Sequence, residues 1–245
     1  MMLDVLIAEL EKCRRSRLLL PAGVLALLSC LIGAMTYSMN AALLSGDRWG
    51  NLWVQTGLFY GYFFYPMMIA ICASSLWRME HREYNWNRLM TAPIARGTLI
   101  GAKFIMLSGV TLLEHALFVA LVLLCGKAVF HIAEPVPPQA IAWFLFGWLA
   151  ALPVAAMQLY LSMRIRSFAV PIGIALASCV AGLGVFVVCR EIPYPNTLLI
   201  VGLGAQSEGN IGLAVGARLL SAAVIYAAVF LLLAARRLRR NDVTA

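Results

Sequence analysis

Three titratable residues about a third of the way along the chain, Glu80, His81 and Glu83, have side chains that bind metals or transfer protons in many proteins. They lie in a charged stretch that runs from Arg78 to Phe104. A metal-binding helix would carry a second histidine four residues after the first, and this sequence has none there. The six cysteines are scattered and form no C-x-x-C motif. We therefore expect neither a catalytic residue nor a metal site.

The second group that could support chemistry is the adjacent pair Glu114 and His115, about ten residues from either end of an apolar run. At that depth in a membrane, an ionisable group usually faces the protein interior or water, because exposure to lipid is costly. Two interpretations of Glu114 stay open: contact with a substrate or gate, or a protonated carboxyl that hydrogen-bonds to a neighbouring helix. A helical rotation of about 100° separates the two side chains, which argues against an intramembrane enzyme.

The elements that must position these residues are membrane-spanning helices. Of 245 residues, 62% are hydrophobic and 12% are charged, whereas a soluble domain is about half apolar and a quarter charged. Six apolar runs reach the roughly 20 residues that a helix needs to cross a bilayer. They lie at about 18–43, 53–77, 104–126, 140–163, 168–189 and 212–235. The sequence therefore predicts an all-α membrane protein with a single transmembrane domain over residues 1–245.

The distribution of basic residues predicts the orientation of these spans. Fifteen of the 19 Lys and Arg residues precede span one, follow span six, or lie between spans two and three and between spans four and five. Cytoplasmic loops collect lysine and arginine, so we expect both termini in the cytoplasm. Because this orientation accounts for the net charge of +8, we expect no nucleic acid as a partner.

Two shorter elements are predicted beside the spans. Residues 1–17 carry apolar side chains on one helical face and charged side chains on the other. This pattern predicts a helix in the membrane interface, with an ordinary cytoplasmic tail as the alternative. Between spans five and six, two prolines precede an apolar piece at 197–205 that is too short to cross a membrane. We expect a re-entrant or interfacial element there, on the outer face.

Span two is rich in aromatic residues, among them Tyr60, Tyr62 and Tyr65. Tyrosine hydroxyls buried in lipid are costly unless they find hydrogen-bonding partners. We therefore regard these three tyrosines, together with Glu114, as candidates for the wall of a translocation pathway. Ordinary packing between helices is the alternative.

The charged stretch has the composition of a short cytoplasmic helix. Residues 78–90 contain no Gly or Pro, and Trp86, Leu89 and Met90 form an apolar patch at i, i+3 and i+4. Pro93 ends the helix. A solvated loop with a basic rim would explain the arginines, but it would leave Trp86 and Leu89 in water. An apolar patch with charges around it is typical of a docking surface.

This stretch resembles the cytoplasmic loop of ABC-2 type transporter permeases, and within them the lantibiotic-immunity and bacitracin-resistance group. In that group a glutamate is followed by a tryptophan-bearing segment, a proline, and a lysine that enters the third span. The matching residues here are Glu80, Trp86, Leu89, Pro93 and Lys103. The opening AELEKCRRSR, which contains Glu9 and Lys12, is also similar to the N-terminal segment of the family.

The resemblance implies a permease that forms the membrane path while a separate ATPase dimer supplies the energy. ATP and Mg²⁺ would bind to that partner, and this chain would bind no cofactor. The sequence agrees, since it contains no G-x-x-x-x-G-K-[ST] phosphate-binding loop. Together with the docking patch, the resemblance assigns the contact with the ATPase to Glu80, Glu83, Trp86, Arg88, Leu89 and Pro93.

The resemblance also implies a bacterial cytoplasmic membrane, surrounding lipid, and a second permease that is either another copy of this chain or an unlike subunit. It implies outward transport of an amphipathic cargo such as an antimicrobial peptide, as in self-protection against lantibiotics or bacitracin. An ATP-independent carrier or channel, or an intramembrane enzyme, is the alternative. Paired broken helices, a common mark of such carriers, are not evident in the two halves of the sequence.

Overall fold

The computed structural model describes residues 2–15, 19–81, 94–188, 193–204 and 212–240, and within these ranges it is helical without strands. In chain order the elements are α1 Met2–Arg15, α2 Leu19–Met39, α3 Arg48–Phe59, a π-helical segment Tyr60–Phe64, α4 Tyr65–His81, α5 Arg96–Ala128, α6 Gln139–Arg164, α7 Ala169–Val188, α8 Pro195–Gly202 and α9 Leu213–Arg240.

The described chain contains six helical stretches that are long and apolar enough to cross a membrane. They are α2, the continuous stretch from α3 to α4, α5, α6, α7 and α9, which confirms the predicted all-α class and the six spans. Two helices extend beyond their apolar runs: the second stretch covers Arg48–His81, and the third begins at Arg96 rather than near 104. Lys103, predicted at the entrance of the third span, therefore lies about two turns inside its helix.

The second span changes its helical geometry at the π-helical segment. The Tyr65 N–H bonds to the Tyr60 carbonyl, five residues back instead of four. Pro66 follows, and a proline has no N–H to donate and clashes with the preceding turn of an α-helix. The wider turn accommodates this proline, and it brings the rings of Tyr60 and Tyr65 into a stack with centroids 4.7 Å apart.

Helix α1 packs along α5 and presents an apolar face that the described chain leaves uncovered. Val5 and Glu9 are buried, whereas Leu3, Ile7 and Leu10 are 68%, 49% and 57% exposed. Apolar side chains on the outside of a short helix are typical of helices that lie on a membrane. The predicted position of α1 in the membrane interface is consistent with this face and stays a prediction.

Helix α8 lies between spans five and six, where a short re-entrant or interfacial element is predicted. Pro195 occupies its first turn, a position where the missing N–H costs nothing. The Trp53 indole N–H donates to the Leu203 carbonyl at 2.6 Å, and Gly202 lies so close to Ala150 that a Cβ on it would meet the Ala150 Cβ at 2.4 Å. The helix is therefore packed into the bundle, whereas its depth in a membrane stays a prediction.

The crossing of α2 and α3 depends on the absence of a side chain at Gly33. A Cβ built there would lie 2.3 Å from the Thr56 Cα, and backbone cannot move aside as a flexible side chain can. We expect Gly33→Ala to destabilise the protein by about 1–3 kcal/mol, measured as thermal unfolding of the purified protein in detergent. Gly109→Ala is the control, because nothing lies within 4 Å of its Cβ position. An equal loss in both variants would contradict this account.

Candidate functional site

Four charged side chains from three helices form a buried charge cluster. The Lys103 ammonium donates to Glu9 Oε2 at 2.8 Å, to Glu80 Oε1 at 3.0 Å and to the Leu76 carbonyl at 3.2 Å. The Lys12 ammonium donates to Glu9 Oε1 at 2.8 Å and to Glu80 Oε1 at 2.6 Å. Lys103 has no exposed surface, and Glu9 and Glu80 are 1% and 4% exposed. The cluster therefore joins α1, the end of α4 and the first part of α5.

The charge cluster can be buried because its charges balance. Two ammonium groups face two carboxylates, and an ion removed from water is tolerated when it is paired and hydrogen-bonded. Lys12 lies in α1, outside the spans. Burial lowers the pKa of Lys12, but the hydrogen bonds and charges of Glu80 and Glu9 outweigh burial and raise that pKa overall. Lys12 therefore carries its positive charge at neutral pH.

Both ends of the charged stretch are held by other helices as well. Just before residues 82–93, His81 Nε2 donates to the Ser162 carbonyl of α6 at 3.2 Å. Just after them, the Arg96 guanidinium donates to the Leu238 carbonyl at the end of α9. With Glu80 and Lys103, these contacts fix the backbone on either side of residues 82–93 to the spans.

The residues assigned to ATPase contact divide into two sets. Glu80 belongs to the last turn of span two and faces the charge cluster, because α4 continues as far as His81. The other five lie outside the described residues, as does the predicted coupling helix that carries them: Glu83, Trp86, Arg88, Leu89 and Pro93. Their role in ATPase contact stays a prediction.

A second polar group lies deep in the spans, where Tyr60 meets α5. The Tyr60 hydroxyl donates to Glu114 Oε2 at 2.6 Å and lies 3.1 Å from His115 Nδ1, while His115 Nε2 donates to the Trp143 carbonyl at 3.3 Å. The helical rotation between Glu114 and His115 separates their side chains less completely than we expected. Both side chains nevertheless reach the hydroxyl of Tyr60, which belongs to the neighbouring second span.

Aromatic rings close around this polar group. The Tyr60 ring stacks on Phe118 with centroids 3.7 Å apart, and Tyr65, which donates to the Thr111 carbonyl at 3.3 Å, stacks on Tyr60. The described part of the chain offers no hydrogen-bond partner to Glu114 Oε1. The carboxyl thus keeps one oxygen available inside the bundle.

The candidate pathway residues do not all lie together. Tyr60, Tyr65 and Glu114 share the closed aromatic group, whereas Tyr62 packs against Phe186 of α7 and Ile200 of α8. For the first three to line a pathway, the helices around them would have to separate. Their role as pathway residues stays a prediction.

A groove of about 600 Å³ opens between α8 and α9. Its walls are mostly apolar, and Arg218 contributes the cationic group. The lining residues are Pro193, Thr197, Leu198, Val201, Val215, Arg218, Leu219, Ser221, Ala222, Ile225 and Tyr226. A groove of this composition suits a ligand with both apolar and polar parts.

Sequence reasoning named all four members of the charge cluster among the residues that carry the family resemblance, but it did not bring them together. A local signal was present, because Lys103 stands among apolar residues in α5 and a lysine in such a place needs an acidic partner. The identity of that partner was not visible, since Glu9 is 94 residues away in the chain.

Removal of the central ammonium group tests whether the charge cluster holds the fold. Lys103→Met leaves Glu9 and Glu80 buried with only Lys12 beside them, and we expect a loss of about 3–5 kcal/mol in unfolding free energy. Lys127→Met is the control, because Lys127 lies near the surface, where it donates to the carbonyls of Ile132 and Glu134 and stands over the Trp49 ring without an acidic partner among the described residues. Its loss should be about 1 kcal/mol. Thermal unfolding in detergent measures both, and similar losses would contradict a special role for the cluster.

A comparison with known protein families finds a match that covers the charge cluster and most of the spans. A family model described as "ABC-2 family transporter protein" matches residues 5–182, well over half of the 245 residues. The matched region contains the charge cluster, the aromatic group around Tyr60, and the first five spans except the end of α7. A search of curated proteins finds no match to the chain.

Proposed function

Because the chain belongs to the ABC-2 family of transporter proteins, we propose that it is the membrane-spanning permease subunit of an ATP-binding-cassette transporter energised by a separate ATPase dimer. ATP and Mg²⁺ bind to that partner. The transporter lies in a bacterial cytoplasmic membrane, and both termini of this chain face the cytoplasm. The concentration of basic residues near the termini and in two of the loops supports this orientation.

The observation that carries the proposal is the anchoring of the charged stretch on both sides of residues 82–93. Glu80 and His81 hold the backbone before these residues, and Arg96 and Lys103 hold the backbone after them. A push on residues 82–93 would therefore reach the second and third spans directly. Packed helices respond to such a push by shifting as rigid bodies. Trp86 and Leu89 would supply the apolar surface on which the ATPase pushes.

The packing of the described bundle favours a pathway between two permease subunits rather than through one. At its centre Trp53 stacks on Trp143 with ring centroids 4.6 Å apart, and Tyr60 stacks on Phe118. These stacks leave no room for a cargo at that level. Most residues in the spanning parts of α7 and α9 are meanwhile not buried in the described bundle, and a second permease copy, an unlike permease subunit or membrane lipid would cover them.

The cargo that we propose is an amphipathic molecule that moves outward, such as an antimicrobial peptide of the lantibiotic or bacitracin type. The resemblance of the charged stretch to immunity permeases is the main support. The groove between α8 and α9 adds to it, because apolar walls beside Arg218 suit a molecule with an apolar body and polar groups.

Co-purification from the native host tests the central part of this proposal. The tagged chain, extracted in mild detergent, should bring down a roughly stoichiometric ATPase. Trp86→Ala should weaken that association about 30-fold, the effect of losing a hot-spot contact of about 2 kcal/mol. Leu113→Ala is the control, because Leu113 is an exposed apolar residue in the middle of α5, away from the charged stretch, and it should leave the association unchanged.

The two ways in which this experiment can fail have different meanings. If the unmutated chain brings down no ATPase, the permease proposal is wrong, and transport without ATP by a carrier becomes the function to assay. If the ATPase binds the unmutated chain and Trp86→Ala equally, the permease proposal stands, but the docking surface lies elsewhere.

A further inference from the structure

Helix α1 packs along α5 through one side of the helix, and its charged contacts are the most specific. Among its described side chains, Val5 and Glu9 alone are fully buried, and Leu3, Ile7 and Leu10 point away from the protein. The apolar contact of Val5 with the bundle can slide, because it has no preferred direction. Glu9 and Lys12 give α1 a directional attachment, because both form hydrogen-bonded ion pairs with other charged groups of the cluster.

The bonds of the charge cluster connect α1 to the helices on both sides of residues 82–93. Glu9 uses one oxygen for Lys12 and the other for Lys103 of α5. Lys12 in turn reaches Glu80, at the end of α4. Glu80 lies two residues before residues 82–93, and Lys103 lies about two helical turns into the span that follows them. Helix α1 is thus bound to the last part of span two and to the first part of span three.

We propose that Glu9 and Lys12 are positioning residues that make α1 move together with the ends of spans two and three when the ATPase displaces the charged stretch. This inference rests on the proposed function. Distances of 2.6–3.0 Å and the near-complete burial of Glu9, Glu80 and Lys103 leave little freedom for slippage, because water cannot readily replace a broken bond there. The three elements would shift as one unit at this end of the bundle.

The consequence of this arrangement is a route from the charged stretch to the first span. Residues 16–18 connect α1 to α2 in the chain, so a displacement of α1 acts on the start of span one. Spans two and three are reached through the backbone, and the cluster gives span one a connection in addition to its packing on α3 at Gly33. The four residues would thereby distribute one movement of the ATPase over three spans.

The experiment compares the response of α1 to nucleotide with and without its charged attachment. The variant Glu9→Gln/Lys12→Gln removes one negative and one positive charge and leaves the Glu80–Lys103 pair intact inside the bundle. Glu11→Gln is the control, because Glu11 lies on the exposed side of the same helix. Each chain is assembled with its co-purified ATPase in phospholipid nanodiscs. Hydrogen–deuterium exchange of peptides covering residues 2–15 and 82–93 is then measured without nucleotide and with ATP and vanadate.

In the unmutated chain and in Glu11→Gln, we expect nucleotide to change the exchange of both peptides. In the double variant, the response of residues 82–93 should persist while the response of residues 2–15 is lost. A purely structural role of the cluster predicts something different: faster exchange of residues 2–15 in both nucleotide states, with the nucleotide-dependent difference retained. That result would overturn the inference, as would an unmutated chain in which residues 82–93 respond and residues 2–15 do not.

Two further outcomes are distinguishable from these. If the unmutated chain fails to bind an ATPase, the proposed function fails, and the inference fails with it. If the double variant does not fold, Lys12→Gln alone replaces it, because Lys12 is the partly exposed member of the cluster and its loss keeps Lys103 paired with both carboxylates. That variant should reduce the response of residues 2–15 without changing that of residues 82–93, and an unchanged response of residues 2–15 overturns the inference.

Discussion

The fully buried ammonium group of Lys103 is the constraint on which one end of this helical bundle depends. A lysine inside a helix that enters a membrane must have an anionic partner, because an unpaired charge there is far too costly to be buried. Glu80 and Glu9 supply that partner from two other elements, and Lys12 balances the second carboxylate. This one requirement fixes the positions of three elements relative to one another: α1, the end of span two and the start of span three.

The opposite end and the centre of the bundle are organised by aromatic packing. Trp53 stacks on Trp143 and bonds to the Leu203 carbonyl, which ties α8 to the spans. The π-helical turn lets Tyr60 meet α5, where its hydroxyl donates to one oxygen of the Glu114 carboxyl. A bundle filled in this way behaves as a packed body rather than a pore. Under the proposed function, transport would require movement between subunits or between helices, driven from the end of the bundle where the charge cluster lies.

Much of the architecture was predictable because a membrane imposes simple rules on a sequence. Long apolar runs predicted all six spans, and Pro195 explained why α8 starts afresh after span five. The charged stretch was harder to interpret: periodicity placed Glu80 on the face of a cytoplasmic helix, but the helix of span two continues through it and directs it into the bundle. Helical phase likewise predicted that Glu114 and His115 point in different directions. In the structure both side chains contact the hydroxyl of Tyr60, a residue more than fifty positions away.

The sequence by itself determined the class of the protein, its number of spans and its family, because apolar run length, charge distribution and local motifs are properties of neighbouring residues. Only the tertiary structure decided which charges pair and which hydroxyl reaches which carboxyl. Glu9 and Lys103 are 94 residues apart, and nothing in either segment specifies the other. Their pairing arises when three helices pack together and exclude water, so that a buried ion is stabilised by an ion of opposite charge from another helix.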